Sequence, residues 1–167
     1  ISTVIAEIRE ELKSPNITLK TNAVLKLFYL HMFGYDISWA AFHFIDIMAM
    51  PRFKAKRTGF LAAAQCFHDG TDVMLLTTNL FRKAFASSQY EVSLAVGTLA
   101  KIATPDLARD LLSDITTMLG SSRPLVRKKA VLCLYKLLQR LPEALPAAFP
   151  RLRERLDDPD PAVVAAT

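Results

Sequence analysis

The sequence predicts an all-α protein in which antiparallel helix pairs stack into a solenoid, and three observations lead there. Small residues open an apolar stripe at nearly constant spacing, with Ala23, Gly59, Ala95, Ala130 and Ala166 following one another at 36, 36, 35 and 36 residues. Prolines outnumber glycines 9 to 5 and lie between apolar segments, so helices are ended by Pro and few positions need positive φ. No segment alternates apolar and polar residues as a half-buried strand does.

Taken in chain order, helices are expected at 2–13, 17–33, 38–49, 53–68, 71–86, 89–102, 105–119, 123–140, 147–157 and from 160 onward. The turns SPNI, MPRF, SSQY, SSRP and DPDP lead into the helices that carry the small residue. In those helices the Leu, Val and Phe positions just after it form the buried face. The partner helices have their own entry signals. Ser38 precedes Trp39 to Phe42, and Thr71-Asp72 precedes Val73, Leu76, Leu80 and Ala84 at helical spacing. Thr104, Pro105 and Asp106 supply an N-cap, a first-position proline and an acidic first turn.

Two short helices cannot bury their apolar face alone, so consecutive pairs must stack and share one continuous seam. The period lies near that of HEAT, armadillo and tetratricopeptide repeats, and the W-x2-L-G-x2-Y pattern of the last is absent. We therefore expect a HEAT/armadillo-like α-solenoid, with residues 1–167 as one segment of about four and a half helix-pair repeats. The chain opens at Ile1 without Met and ends within an apolar pattern at Thr167, as a trimmed segment would.

Composition and motifs argue for binding and against chemistry. Hydrophobic residues at 51% and charged ones at 22% are those of an ordinary globular chain. No apolar run approaches the roughly 18 residues a spanning helix needs, so this portion is expected to be soluble. Cys66 and Cys133 stand in apolar surroundings far from any second thiol and read as reduced core residues. His31, His43 and His68 each stand alone without metal-ligand spacing. Phosphate-cradling glycine loops and a nucleophile elbow are missing. Asp157-Asp158 and Glu10-Glu11 sit beside turns, where capping or solvation accounts for them. No catalytic, metal or cofactor site is assigned, and no small-molecule substrate is expected.

A net charge of +5 favours an acidic partner. Lys20 and Lys26, then Arg52, Lys54, Lys56 and Arg57, then Arg123, Arg127, Lys128 and Lys129 fall in the opening turns of equivalent helices. Stacking would align them into a ridge facing an anionic surface, and solvated helix faces would give the same composition. A nucleic-acid-binding solenoid is the competing reading. The aromatics Phe28, Tyr29, Phe60, Phe67 and Tyr135 fall on the apolar phase, which speaks for core packing and against stacked bases.

Five segments carry a family likeness: KLFYLHMFGYDISWAAFHFIDIM (26–48), KRTGFLAAAQCFHDGTDVMLLTTN (56–79), TPDLARDL (104–111), RKKAVLCLYKL (127–137) and FPRLRERLDDPDP (149–161). On them the chain resembles the N-terminal trunk of the large adaptins of clathrin-associated adaptor complexes. GYDISWAAF, QCFHDGTDV and PDLARDL make it most similar to the δ type. The resemblance implies a cytosolic scaffold, peripheral to Golgi or endosomal membranes, that holds a small σ-type subunit and the other adaptor subunits. It also implies recruitment by an Arf-family GTPase and sorting of cargo between Golgi or endosomes and lysosome or vacuole. In γ-type relatives the first helix of each pair presents apolar residues to the GTPase, and the matching positions are Phe42, Ile45 and Leu76. The lysine run by which α-type relatives bind phosphoinositide is reduced to Lys20 and Lys26, with Thr21 and Asn22 between. An unrelated HEAT-like scaffold is the alternative.

Overall fold

The computed structural model describes residues 2–167, and among them every regular element is a helix. Ten α-helices follow in order: α1 Ser2–Lys13, α2 Ile17–Met32, α3 Ala41–Ala49, α4 Phe53–Cys66, α5 Met74–Phe85, α6 Gln89–Ile102, α7 Pro105–Met118, α8 Pro124–Arg140, α9 Leu145–Glu154 and α10 Pro161–Val164. Single 3₁₀ turns lead into α3 and α9 and out of α9. The fold is the HEAT/armadillo-like helix-pair repeat that the small-residue spacing predicts.

Each of the four complete second helices carries its small residue at the seventh position: Ala23 in α2, Gly59 in α4, Ala95 in α6 and Ala130 in α8. All four are buried. At Gly59 the reason is visible in the geometry, since a Cβ there would lie 2.6 Å from the backbone nitrogen of Met48 in α3. Only a residue without a side chain lets the two backbones approach so closely.

The chain divides into two compact units, Ile1–Thr77 and Thr78–Thr167, with the first turn of α5 in the former and the rest of it in the latter. In the first unit α1 packs on α2, and α2 and α3 pack on α4. Ile8, Leu12, Val24, Leu27, Phe44, Ile47, Met48 and Phe60 fill its core. Phe44 meets Phe67 with ring centroids 6.1 Å apart. In the second unit α6, α7 and α10 all pack on α8, around Val96, Leu99, Leu111, Ile115, Leu134 and Val163.

Local chemistry sets the ends. Asn16, Ser88, Thr104 and Asp160 cap α2, α6, α7 and α10 by accepting backbone N–H groups of the first turn. α2 stops at Gly34, the one described residue with positive φ, at 84°. Gly34 N–H donates to His31 O and Tyr35 N–H donates to Leu30 O, the paired reverse bonds that close a helix on a left-handed glycine.

Among the helices the structure departs from the sequence reading at α5. α5 begins at Met74 and not at 71, because Thr71 Oγ1 accepts the His68 N–H and holds 68–74 in a turn. The buried stripe of α5 is Met74, Thr77, Phe81 and Ala84, one residue away from the expected Val73, Leu76 and Leu80. Pro150 lies inside α9, within the helix expected at 147–157, and leaves one helical N–H···O bond unmade there.

Candidate interaction surface

The three positions matched to the GTPase contact lie in the first unit and do not share a fate. Phe42 on α3 is 60% exposed and Leu76 on α5 is 50% exposed, while Ile45 is 8% exposed and belongs to the core. Three residues keep Ile45 near the face of Phe42, yet Ile45 lies at the core edge of that face beside buried Phe44, so the packing and not the spacing separates the two. Ile45 is therefore withdrawn as a contact residue. Leu75, beside Leu76, and Met32 and Phe33, at the end of α2, are also exposed. Sequence periodicity missed these three, although Met32 and Phe33 directly precede a helix-ending glycine and so fall on a terminal turn.

Phe42 borders a cleft of about 580 Å³ formed wholly within this unit. The Gly34 turn brings in Tyr35, Asp36 and Ile37, the 3₁₀ turn adds Trp39, and Phe67, His68 and Gly70 to Val73 complete the lining. Asp36 Oδ1 accepts the Ser38 N–H at 2.9 Å, and this hydrogen bond holds its carboxyl below the usual range. Arg9 of α1 lays its guanidinium over the Trp39 ring, 4.5 Å from the centroid. The Cys66 thiol at the cleft is pushed up to about 11 by burial, so it is not a thiolate nucleophile at neutral pH.

The basic candidates separate into two kinds. Arg52, Lys54 and Arg57 are exposed at the start of α4. Helix α4 has no side-chain N-cap and no acidic residue in its first turn, which leaves its positive end unneutralised. Lys56, Lys128 and Lys129 are half-buried. Lys20 instead donates to Asp46 at 2.9 Å, and Lys26 to Glu11 at 2.6 Å.

Arg127 corrects the sequence reading outright. It is 7% exposed, and its Nε and Nη2 each donate to the Asp158 carboxylate at 2.7 Å while Nη1 donates to Ser121 O at 2.9 Å. Arg155 Nη1 adds a contact to Asp158 at 3.1 Å. The Arg127 hydrogen bonds pull the Asp158 carboxyl down to about 2 against the cost of burial. The pair ties α8 to the turn that enters α10 and cannot face a membrane. Lys20, Lys56 and Arg127 all stand three residues before the small buried residue, and that spacing returns to the same helix face. The shared phase of these three points inward.

Two of the aromatics expected in the core, Tyr29 and Tyr135, are exposed, whereas Phe60 and Phe67 are buried. Tyr135 receives a hydrogen bond from Gln139 Nε2 at 2.9 Å and packs beside Lys136 on its own helix. Among the described residues no three His, Cys, Asp or Glu side chains gather into a metal-holding group, and no helix is long and apolar enough to cross a membrane.

Residues 1–167 match the family described as "Adaptin N terminal region". The chain is 56% identical over 167 residues to the AP-3 complex subunit delta-1 of Bos taurus, covering 99% of this chain and 14% of that protein. It is 49% identical over 168 residues to the AP-3 complex subunit delta of Dictyostelium discoideum, covering 100% of this chain and 15% of that protein. The structure described as a homology model of the full-length AP-3 complex in an intermediate open conformation superposes with a TM-score of 0.80 at 42% identity. That likeness covers 90% of this chain and 27% of the other. The chain spans only a small part of the length of the curated relatives it matches.

Proposed function

This chain belongs to the adaptin N-terminal region family, and from that premise we propose that it is a trunk segment of a δ-type large subunit of a vesicle-coat adaptor complex. Its work is to hold partners and not to catalyse. It scaffolds a small σ-type subunit and the other adaptor subunits at the cytoplasmic face of Golgi or endosomal membranes, in transport of cargo toward lysosome or vacuole. An Arf-family GTPase in its GTP form recruits it, through Phe42 and Leu76. The observation that carries the GTPase reading is that Phe42 and Leu76 stay exposed, with Leu75 exposed beside Leu76, while Phe44, Ile45 and Met74 are buried. A switch region that offers apolar side chains only when loaded with GTP needs such a receptor surface.

Membrane contact is assigned in the first unit to Arg52, Lys54 and Arg57 with half-buried Lys56, and in the second unit, separately, to half-buried Lys128 and Lys129. Each exposed cation near an anionic leaflet adds on the order of 1 kcal/mol, giving a weak hold that salt screens. Lys20 and Arg127 are left out of the membrane contact by their ion pairs. Co-expression with a σ-type small subunit tests the scaffold reading: a stable co-purifying complex is expected, and a chain that never retains the small subunit contradicts it.

A further inference from the structure

We propose that the cleft beside Phe42 receives a partner-protein segment in which an arginine lies next to bulky apolar side chains. This goes beyond the adaptor reading and does not depend on it. The walls combine Tyr35, Trp39, Phe42 and Phe67 with two exposed carboxylates, Asp36 and Asp72. No lysine or arginine lines the cleft, on a chain whose net charge is +5. The local charge therefore runs against that of the whole chain and complements a cation. An acidic segment or a phosphate would meet both carboxylates unfavourably, and a purely apolar one would desolvate them without a partner.

Arginine fits this lining better than lysine. A planar guanidinium stacks on an aromatic face and bridges to a carboxylate in one plane, which an ammonium cannot do. Trp39 already carries a stacked guanidinium within the chain, that of Arg9 at 4.5 Å, while also bordering the cleft. The apolar neighbours of the incoming arginine would meet Phe42 and Phe67, and the Gly34 turn keeps Tyr35 and Asp36 at the mouth.

Trp39 is the only tryptophan, so its emission reports on this cleft. The acetylated, amidated tripeptides Leu-Arg-Leu and Leu-Glu-Leu are titrated against the whole chain. A saturable emission change is expected with the arginine peptide and none with the glutamate peptide. Asp72→Asn should weaken the arginine peptide a few-fold, and Asp36→Asn with Asp72→Asn about tenfold. Asn retains an acceptor for the Ser38 N–H, and Asp72→Asn alone leaves that turn untouched. Phe42→Ser should weaken it too, with unchanged helicity. The proposal is overturned if both peptides respond alike, if neither saturates by about 10 mM, or if Asp72→Asn and the double variant bind as the parent does.

Discussion

Arginine 127 and aspartate 158 form an ion pair inside the second unit, and removing Arg127 leaves the buried carboxylate with Arg155 as its remaining cationic contact. Arg127→Ala should lower the thermal midpoint by on the order of 5–10 °C, read by circular dichroism, because the buried carboxylate loses its two-bond partner and keeps only the Arg155 contact. Acid gives a second reading of the same pair. The carboxyl of Asp158 is depressed from 3.8 to about 2 in the folded chain. A depressed folded value stabilises fully above the unfolded one and loses that contribution as the pH falls through the folded one. Stability should therefore drop between about pH 4 and about pH 2 in the parent. Asp158→Asn, less stable at neutral pH, should lack that part of the drop. Local sequence could not reveal the pair, since the partners stand 31 residues apart. It did hold the clue to the inward phase of Arg127, three residues from buried Ala130.

Helix-level packing makes opposite predictions for two helical glycines, one in each unit. Gly97 in α6 has nothing within 4 Å of where a Cβ would stand, so Gly97→Ala should stabilise by about 0.5–1 kcal/mol through helix propensity. Gly59 in α4 would place that carbon 2.6 Å from the Met48 nitrogen, a backbone atom that cannot rotate away. There the overlap outweighs the propensity gain, and Gly59→Ala should destabilise by about 2 kcal/mol. Urea denaturation of both variants checks the pair of signs. Spacing alone located the four small positions, because close helix approach writes a periodic requirement into the sequence. The stripe of α5 was misread for a comparable reason. Hydrophobicity picks Leu76 and Leu80, whereas the buried face takes Thr77, whose hydroxyl is satisfied by donating to Met74 O at 2.6 Å. That exchange of a threonine for a leucine is what leaves Leu76 exposed.

For the molecule as a whole, helix-pair repetition and family membership were both legible in the residues, while the orientation of individual side chains was not. Phe42, Ile45 and Leu76 look alike in sequence, yet one is buried and two are exposed. The same holds for the basic residues, where Arg52, Lys54 and Arg57 reach solvent and Arg127 does not. Replacing the first three with alanine should weaken co-sedimentation with anionic liposomes at low salt by at least about tenfold. Replacing Lys20, already paired with Asp46, should change it little. The most direct measurement of the adaptor account is a titration of the chain and its Leu76→Glu variant with an Arf-family protein locked in its GTP state. The account predicts that the parent binds the GTP form and not the GDP form, and that Leu76→Glu weakens binding by at least about tenfold with helicity unchanged. Equal binding by parent and variant, or unfolding of the variant, would contradict it.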